Sequence, residues 1–144
     1  MVGPVVYEAS VPFFVKALKN QLKLLQRGKE WCKENDYDES RLTAATLATD
    51  MSSLPFHVEL CTYNAVQLLI DFKILNRESL PIEGEQQTFE QLSKRMQTAL
   101  DILESITPEL FDGKEGSKVD VFLGSFTVSR DAMQYVHEIS LPSL

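Results

Sequence analysis

The sequence predicts an all-α protein, and three observations carry that reading. Apolar residues recur at threes, fours and sevens over three long stretches. Each stretch opens on a helix-start signal, and only one short segment late in the chain changes to strand-like alternation. A chain of 144 residues with 44% hydrophobic side chains suffices for one domain with a real core, so residues 1–144 are expected to form a single helical-bundle domain.

The first helix is expected from Val11 to about Lys33. Val11, Phe14, Val15, Leu18, Leu22, Leu25 and Cys32 form its stripe, Ser10 stands as candidate N-cap, and Pro12 falls in the first turn, where its missing N–H does no harm. Gly28 weakens the last turns by about 1 kcal/mol relative to Ala, so packing of Trp31 and Cys32 must hold them, and a fray or kink is expected there. The polar run Asn35 to Ser40 reads as a connector, followed by a short helical or irregular stretch from Arg41 to Ala48. A second long helix opens near Ser52 and Ser53 with the stripe Leu54, His57, Val58, Cys61, Ala65, Leu68, Leu69 and Phe72, fading near Asn76 before a Leu80-Pro81 break.

Thr88 and Gln91 have the spacing of a capping box, and the stripe behind them is Phe89, Leu92, Met96, Ala99, Leu103 and Ile106. Thr107-Pro108 and Asp112-Gly113 end that helix. Val119, Val121 and Leu123 then alternate, Gly124-Ser125 suits a primed turn, and Phe126-Thr127-Val128 returns, which predicts a small β-hairpin. A final helix is expected from a cap at Ser129, with Asp131 in its first turn and a stripe of Met133, Val136, His137 and Ser140. Leu141-Pro142 should kink it and Leu144 leaves it unfinished.

Composition narrows the function classes. Fourteen Lys plus Arg against 21 Asp plus Glu give a formal charge of −7, which repels nucleic acid unless a basic face dominates. Lys16, Lys19, Lys23 and Arg27 line one side of the first helix, a stripe that could receive an anionic ligand, an acidic partner surface or a membrane face but reads first as solvated or paired with acidic residues of a neighbouring helix. No helix-turn-helix reader is apparent. The amino terminus lacks the charged and apolar regions of a signal peptide, and no segment is long and apolar enough to span a bilayer. Cys32 and Cys61 lie within helical patterns, which suits reduced thiols in a cytoplasmic protein better than a disulfide framework.

Both histidines, His57 and His137, fall on expected apolar stripes, so they are the candidate metal ligands. Zinc normally takes three or four protein ligands, and two imidazoles are one short. Cys61, Glu59 and Glu138 are the nearby donor types, although the stripe pattern points the two glutamates elsewhere. The bland alternative is a pair of hydrogen-bonded core imidazoles. Cys61 with His57 one turn before it also matches a thiol and base at i and i+4, set against an inert buried thiol. Phe13, Phe14, Phe56, Tyr63, Phe72, Met96, Phe122 and Tyr135 are numerous enough to line an internal pocket, for which Cys61, Tyr63 and Tyr135 are the candidate residues.

Several separated segments carry a family resemblance along the whole chain. The run Tyr7 to Pro12, the stretch Leu47 to Met51 with Leu54-Pro55-Phe56, the segment Thr88 to Leu92 through Leu110 to Gly113, and the closing Leu141-Pro142 resemble an uncharacterised family within the DinB/YfiT-like superfamily of metalloenzymes. The resemblance implies a four-helix bundle with a long crossover, commonly dimeric, in a superfamily many of whose members hold a divalent metal, such as zinc or nickel, through three histidines. It places His57 at the second-helix ligand and His137 near the start of the last helix. It also implies continuation through an aromatic-rich stretch with another histidine, so the last helix here reads as truncated and the three-histidine site as incomplete.

Three functions follow from the sequence. The first is a bundle that binds a small apolar ligand or another subunit, the second is a DinB-like metal-dependent hydrolase or thiol transferase, and the third is a piece of a longer functional chain. Exposed apolar faces beside an unfinished last helix favour a homodimer.

Overall fold

The computed structural model describes residues 3–77, 88–114, 116 and 118–143. The expected Leu80-Pro81 break and Leu144 lie outside the described residues. Five α-helices, one 3-10 turn and one hairpin make up the described chain, in the order α1 (Gly3–Glu34), α2 (Glu39–Thr43), α3 (Leu54–Asp71), α4 (Phe89–Glu104), the 3-10 turn Pro108–Phe111, β1 (Lys118–Phe122), β2 (Thr127–Asp131) and α5 (Ala132–Gln134). α5 runs directly into a π-helical segment, Tyr135–Ser140, and the two together form the last helix.

α1 begins about two turns earlier than its stripe suggests. Ser10 is no cap: it is fully buried inside the helix, and its hydroxyl donates to the Val6 carbonyl at 2.6 Å. Pro12 consequently sits in the helix interior, where it removes one backbone bond to the residue four back. Buried Val6, Val11, Phe14 and Leu18 explain how the early turns persist, because packing outweighs one lost bond.

Gly28 neither frays nor ends α1. A Cβ there would stand 3.0 Å from two atoms of the Phe89 ring, so the missing side chain is what lets α4 approach α1 closely. The chain leaves α1 through Asp36 in the left-handed region, with Tyr37 tilted against Trp31 at 5.3 Å between ring centroids and the Arg41 guanidinium over the Tyr37 ring. Asp38 caps the short α2 by accepting from the Ser40 N–H at 3.0 Å.

α3 starts where Ser53 and Pro55 indicate and ends at Asp71, before the expected fade near Asn76, because Lys73 turns left-handed. Its most buried row is Val58, Thr62, Ala65, Val66, Leu68 and Leu69, so the stripe lies to one side of the one read from spacing. The reason is a helix that also buries polar Thr62. Its hydroxyl donates to the Val58 carbonyl at 2.9 Å and accepts from Arg95 Nε of α4 at 2.8 Å. Burial draws the Arg95 pKa below its ordinary value while Glu59 beside it acts the other way.

α4 carries the expected capping box, with the Thr88 hydroxyl accepting from the Gln91 N–H at 3.1 Å and the Gln91 side chain returning the bond. Its whole expected stripe is buried. α4 lies between α1 and α3 and touches each more extensively than they touch one another. At one end of this arrangement the rings of Tyr7, Phe72, Phe111 and Tyr135 pack together, Tyr7 on Phe111 and Phe72 on Tyr135 edge to face and Phe72 on Phe111 tilted, tying α1, α3, the 3-10 turn and the last helix together.

The hairpin pairs Lys118 with Asp131 through Phe122 with Thr127 in antiparallel register. The Leu123 N–H bonds the Phe126 carbonyl at 2.8 Å, closing the two-residue Gly124-Ser125 turn, and Gly124 supplies the positive φ of 86° that a primed turn requires. Ser129 lies within β2 and is not the cap of the last helix. Asp131 takes that role and accepts from the Gln134 N–H at 2.9 Å.

Candidate functional site

An apolar slot of about 350 Å³ opens between α1 and α3. Leu24, Leu25 and Gly28 of α1 face Leu54, Val58 and Cys61 of α3, Phe89 and Met96 of α4 form the floor, and Leu42 of α2 completes the apolar lining. Its polar groups are Gln21, His57 and Cys61. That volume is within the range of small-molecule pockets, and an apolar lining with a few polar groups is their usual composition.

Cys61 is half-buried on the α3 wall, bonded to the Gln21 side chain across the slot. Burial pushes its thiol above the ordinary value of 9.0, and the Gln21 bond offsets part of that rise. The neutral thiol therefore dominates at pH 7, so the arrangement does not make the activated nucleophile that the His57 to Cys61 spacing suggests. Cys32 is 2% exposed at the far end of α1 and takes no part in the slot.

The structure does not bring the two histidines together. Both are exposed rather than on buried rows. His57 stands in the first turn of α3 with its ring edge-on to Phe56 at 5.7 Å, at the mouth of the slot. His137 is on the π-helical segment, whose wider turn keeps Val136 and Ser140 inward and tips the intervening residue toward solvent. Asn64 of α3 bonds Ser143, His57 lies two turns from that tie on α3 and His137 nearly two turns from it in the other direction, so the imidazoles are of the order of 15–20 Å apart along the helix axes. Two ligands of one zinc each sit about 2 Å from the ion, so one metal cannot bridge these two. Among the described residues, no group of three or more His, Cys, Asp or Glu side chains is placed to hold a metal ion. Glu138 pairs with Arg130 at 2.9 Å and Glu59 faces Arg95. The residues present do not fit the divalent metal that the resemblance implies.

Of the pocket candidates, only Cys61 lines the slot. Tyr63 is 46% exposed on the outer side of α3, under the Arg77 guanidinium. Tyr135 is buried at the other end of the molecule, donating to Asp71 Oδ2 at 2.5 Å. Burial, followed by the bond to and charge of Asp71, raises the phenol well above its ordinary 10.0. Asp71 also accepts from Gln67 at 2.7 Å, and Gln67 accepts from Arg77 at 2.6 Å, so this polar chain fastens the last helix to α3. Phe13, Phe56 and Phe122 are exposed, and the rows they lie on are not core. Gln21 was missed by sequence reading. It is a polar residue one turn from the apolar Leu24 and Leu25, and nothing in spacing alone separates it from a solvated side chain.

The basic side of α1 borders a second, shallower groove, where Lys19 pairs with Glu104 of α4 at 2.7 Å. That pair is the neighbouring-helix partnership expected for the stripe. No described helix is long and apolar enough to cross a membrane.

The helices, their connectivity and the hairpin define a mostly helical protein with a DinB-like fold. The supporting match is a crystal structure of a DinB family member protein from Shewanella denitrificans, with a TM-score of 0.81, 20% sequence identity, and coverage of 99% of this chain and 79% of that one. Residues 6–144 match the family described as Domain of unknown function (DUF1993), and the chain belongs to that family. No curated protein matches the sequence.

Proposed function

We propose that this DinB-like protein is a binding protein, and that its slot between α1 and α3 takes up an apolar group. The observation that carries this reading is the slot itself, which has apolar walls from α1, α2, α3 and α4 and no Asp, Glu, Lys or Arg in its lining. In this reading α1, α3, α4 and the last helix are the members of a four-helix bundle forming one cytoplasmic domain. Hydrolysis or thiol transfer through a metal gains no support from the dispersed His57 and His137, and no step is derived through one.

The neutral dye phenyl-naphthylamine tests the reading. We expect saturable binding with a blue-shifted emission, and slowed alkylation of Cys61 by N-ethylmaleimide when the dye is bound. Cys61→Phe adds bulk to the half-buried wall and should abolish the dye signal while the melting transition remains cooperative. Absence of saturable binding, or binding unchanged in Cys61→Phe, defeats the reading.

A second reading, self-association into a homodimer, is favoured by the hairpin tip. Phe122, Leu123 and Phe126 are 70, 49 and 58% exposed around one turn, and apolar area so concentrated usually marks an interface. Light scattering should give a dimer that Phe122→Ser with Phe126→Ser dissociates, and a monodisperse monomer of the native sequence refutes it.

A further inference from the structure

We infer that the groove along the basic side of α1 is a second binding site, and that it takes a small amphipathic anion: one carboxylate, sulfonate or phosphate head carried on a hydrocarbon or aromatic body. The inference is independent of what the slot between α1 and α3 binds.

Position separates the two. The groove holds about 520 Å³ between α1 and the C-terminal end of α4, which contributes Leu103 and Glu104. Its lining comes from α1 and α4 alone and shares no residue with the slot. A helix turns about 100° per residue, so Lys19 in the groove and Gly28 in the slot, nine residues apart, lie on opposite sides of α1.

Charge carries the argument. Lys16, Lys19 and Lys23 stand at i, i+3 and i+7, on one face of α1 over about 10 Å of helix, and like charges so spaced repel one another. One of the three is neutralised, because Lys19 pairs with Glu104 at 2.7 Å. Glu104 is the only carboxylate lining the groove, and among the described residues neither Lys16 nor Lys23 has an acidic group within ion-pairing distance. The groove therefore keeps two uncompensated ammonium groups on a chain whose net charge is −7. A diffuse positive field on an acidic protein concentrates small anions at that one place.

Shape decides which anion. Val11, Pro12, Val15 and Leu103 lay an apolar bed beside the ammonium groups, and Val11 and Leu103 are buried at its floor. A bare inorganic anion leaves that bed uncovered, and a neutral hydrocarbon leaves the charges unanswered. The volume is within the range of small-molecule sites, and only a molecule that enters the groove reaches its floor. Glu104 already occupies the central ammonium, so it competes with the incoming head for Lys19.

The probe is anilinonaphthalene sulfonate, which has the aromatic skeleton of phenyl-naphthylamine with an anionic sulfonate added. Calorimetry follows it in the native chain and in Cys61→Phe, so that any binding in the slot is separated. We expect a site that Cys61→Phe leaves intact. Lys16→Gln with Lys23→Gln, both at exposed positions, should weaken it about tenfold, roughly threefold for each ammonium, without lowering the melting temperature or altering phenyl-naphthylamine binding. Glu104→Gln frees Lys19 and should tighten it about threefold, a gain that a merely structural role of the pair would not give. Decanoate should displace the sulfonate dye at a concentration where decanol, a tail without charge, and acetate, a charge without tail, do not.

No binding of the sulfonate dye, binding unchanged by the lysine substitutions, or binding lost in Cys61→Phe overturns the inference. Displacement by acetate as readily as by decanoate overturns the amphipathic class, since the site then takes any anion. Co-sedimentation with vesicles of phosphatidylcholine and phosphatidylserine that the lysine substitutions abolish, while decanoate in solution displaces nothing, makes the stripe a membrane face and overturns it too.

Discussion

Pro12→Ala puts the start of α1 to a quantitative test. With α1 beginning at Gly3, Pro12 is an interior helical residue whose missing N–H leaves the Glu8 carbonyl without its partner and whose ring presses on that turn. An interior proline costs about 3 kcal/mol relative to alanine, and the surrounding turns have already adjusted to the ring, so recovery of about 1–3 kcal/mol is expected. Pro12 is exposed, so no cavity opposes the gain. Unfolding entropy scales with length, and for 144 residues each kcal/mol moves the melting temperature by roughly 3 °C. Calorimetry should therefore show a rise of about 3–9 °C. Had the helix begun after Ser10, Pro12 would occupy the first turn, where proline is favourable, and its loss would be neutral or destabilising. An unchanged or lower melting temperature refutes the early start.

Three further outcomes follow from named contacts. Thr88→Ala removes the capping box of α4 and should lower unfolding free energy in urea by about 1 kcal/mol, with no change in the slope of the transition. Gly28→Val drives a branched side chain into the Phe89 ring, 3.0 Å from the Cβ position, and should cost about 1–3 kcal/mol by the same assay, whereas an unaffected midpoint would mean α1 and α4 are further apart than described. Tyr135→Phe deletes a bond to a charged carboxylate and should cost about 1.5–3 kcal/mol at pH 7. The native phenol is held above 10.0, so below pH 10 its contribution is fully present, and above it the unfolded chain ionises first and stability falls. Melting curves of the native chain should drop more steeply above pH 10 than those of Tyr135→Phe, and parallel curves would contradict the buried position.

How much of this was legible in the sequence depends on what each signal reports. The α4 stripe and its Thr88-Gln91 box transferred without change, because capping and apolar spacing are local and agree with one another. The hairpin turn did too, since Gly124-Ser125 specifies a loop length that fixes register. Ser10 and Ser129 failed as caps for a shared reason. A serine bonds equally well to the carbonyl three or four residues back, as Ser10 does with Val6, or sits in a strand, as Ser129 does, and only tertiary packing selects among these. The π-helical turn at Tyr135–Ser140 breaks the period on which the inward placement of His137 depended, and no local residue announces it.

The site was less legible because a trough is a property of what lies between helices. Spacing puts His57 and Cys61 on one stripe, and both border the same space, but spacing does not tell a core row from the wall of a slot. The difference lies in long-range contacts, which bring Tyr135 to Asp71 and Ser143 to Asn64. Where the last helix covers α3, as at Asp71, polar groups are buried and paired. Nearer the start of α3 the helix shows a half-buried thiol, an exposed imidazole and the half-exposed ring of Phe56. α3 thus passes from buried to half-exposed within two turns without any change in its hydrophobic pattern. With the imidazole in solvent and the thiol held neutral by burial, His57 and Cys61 border the slot without forming the base and nucleophile pair that their spacing suggests.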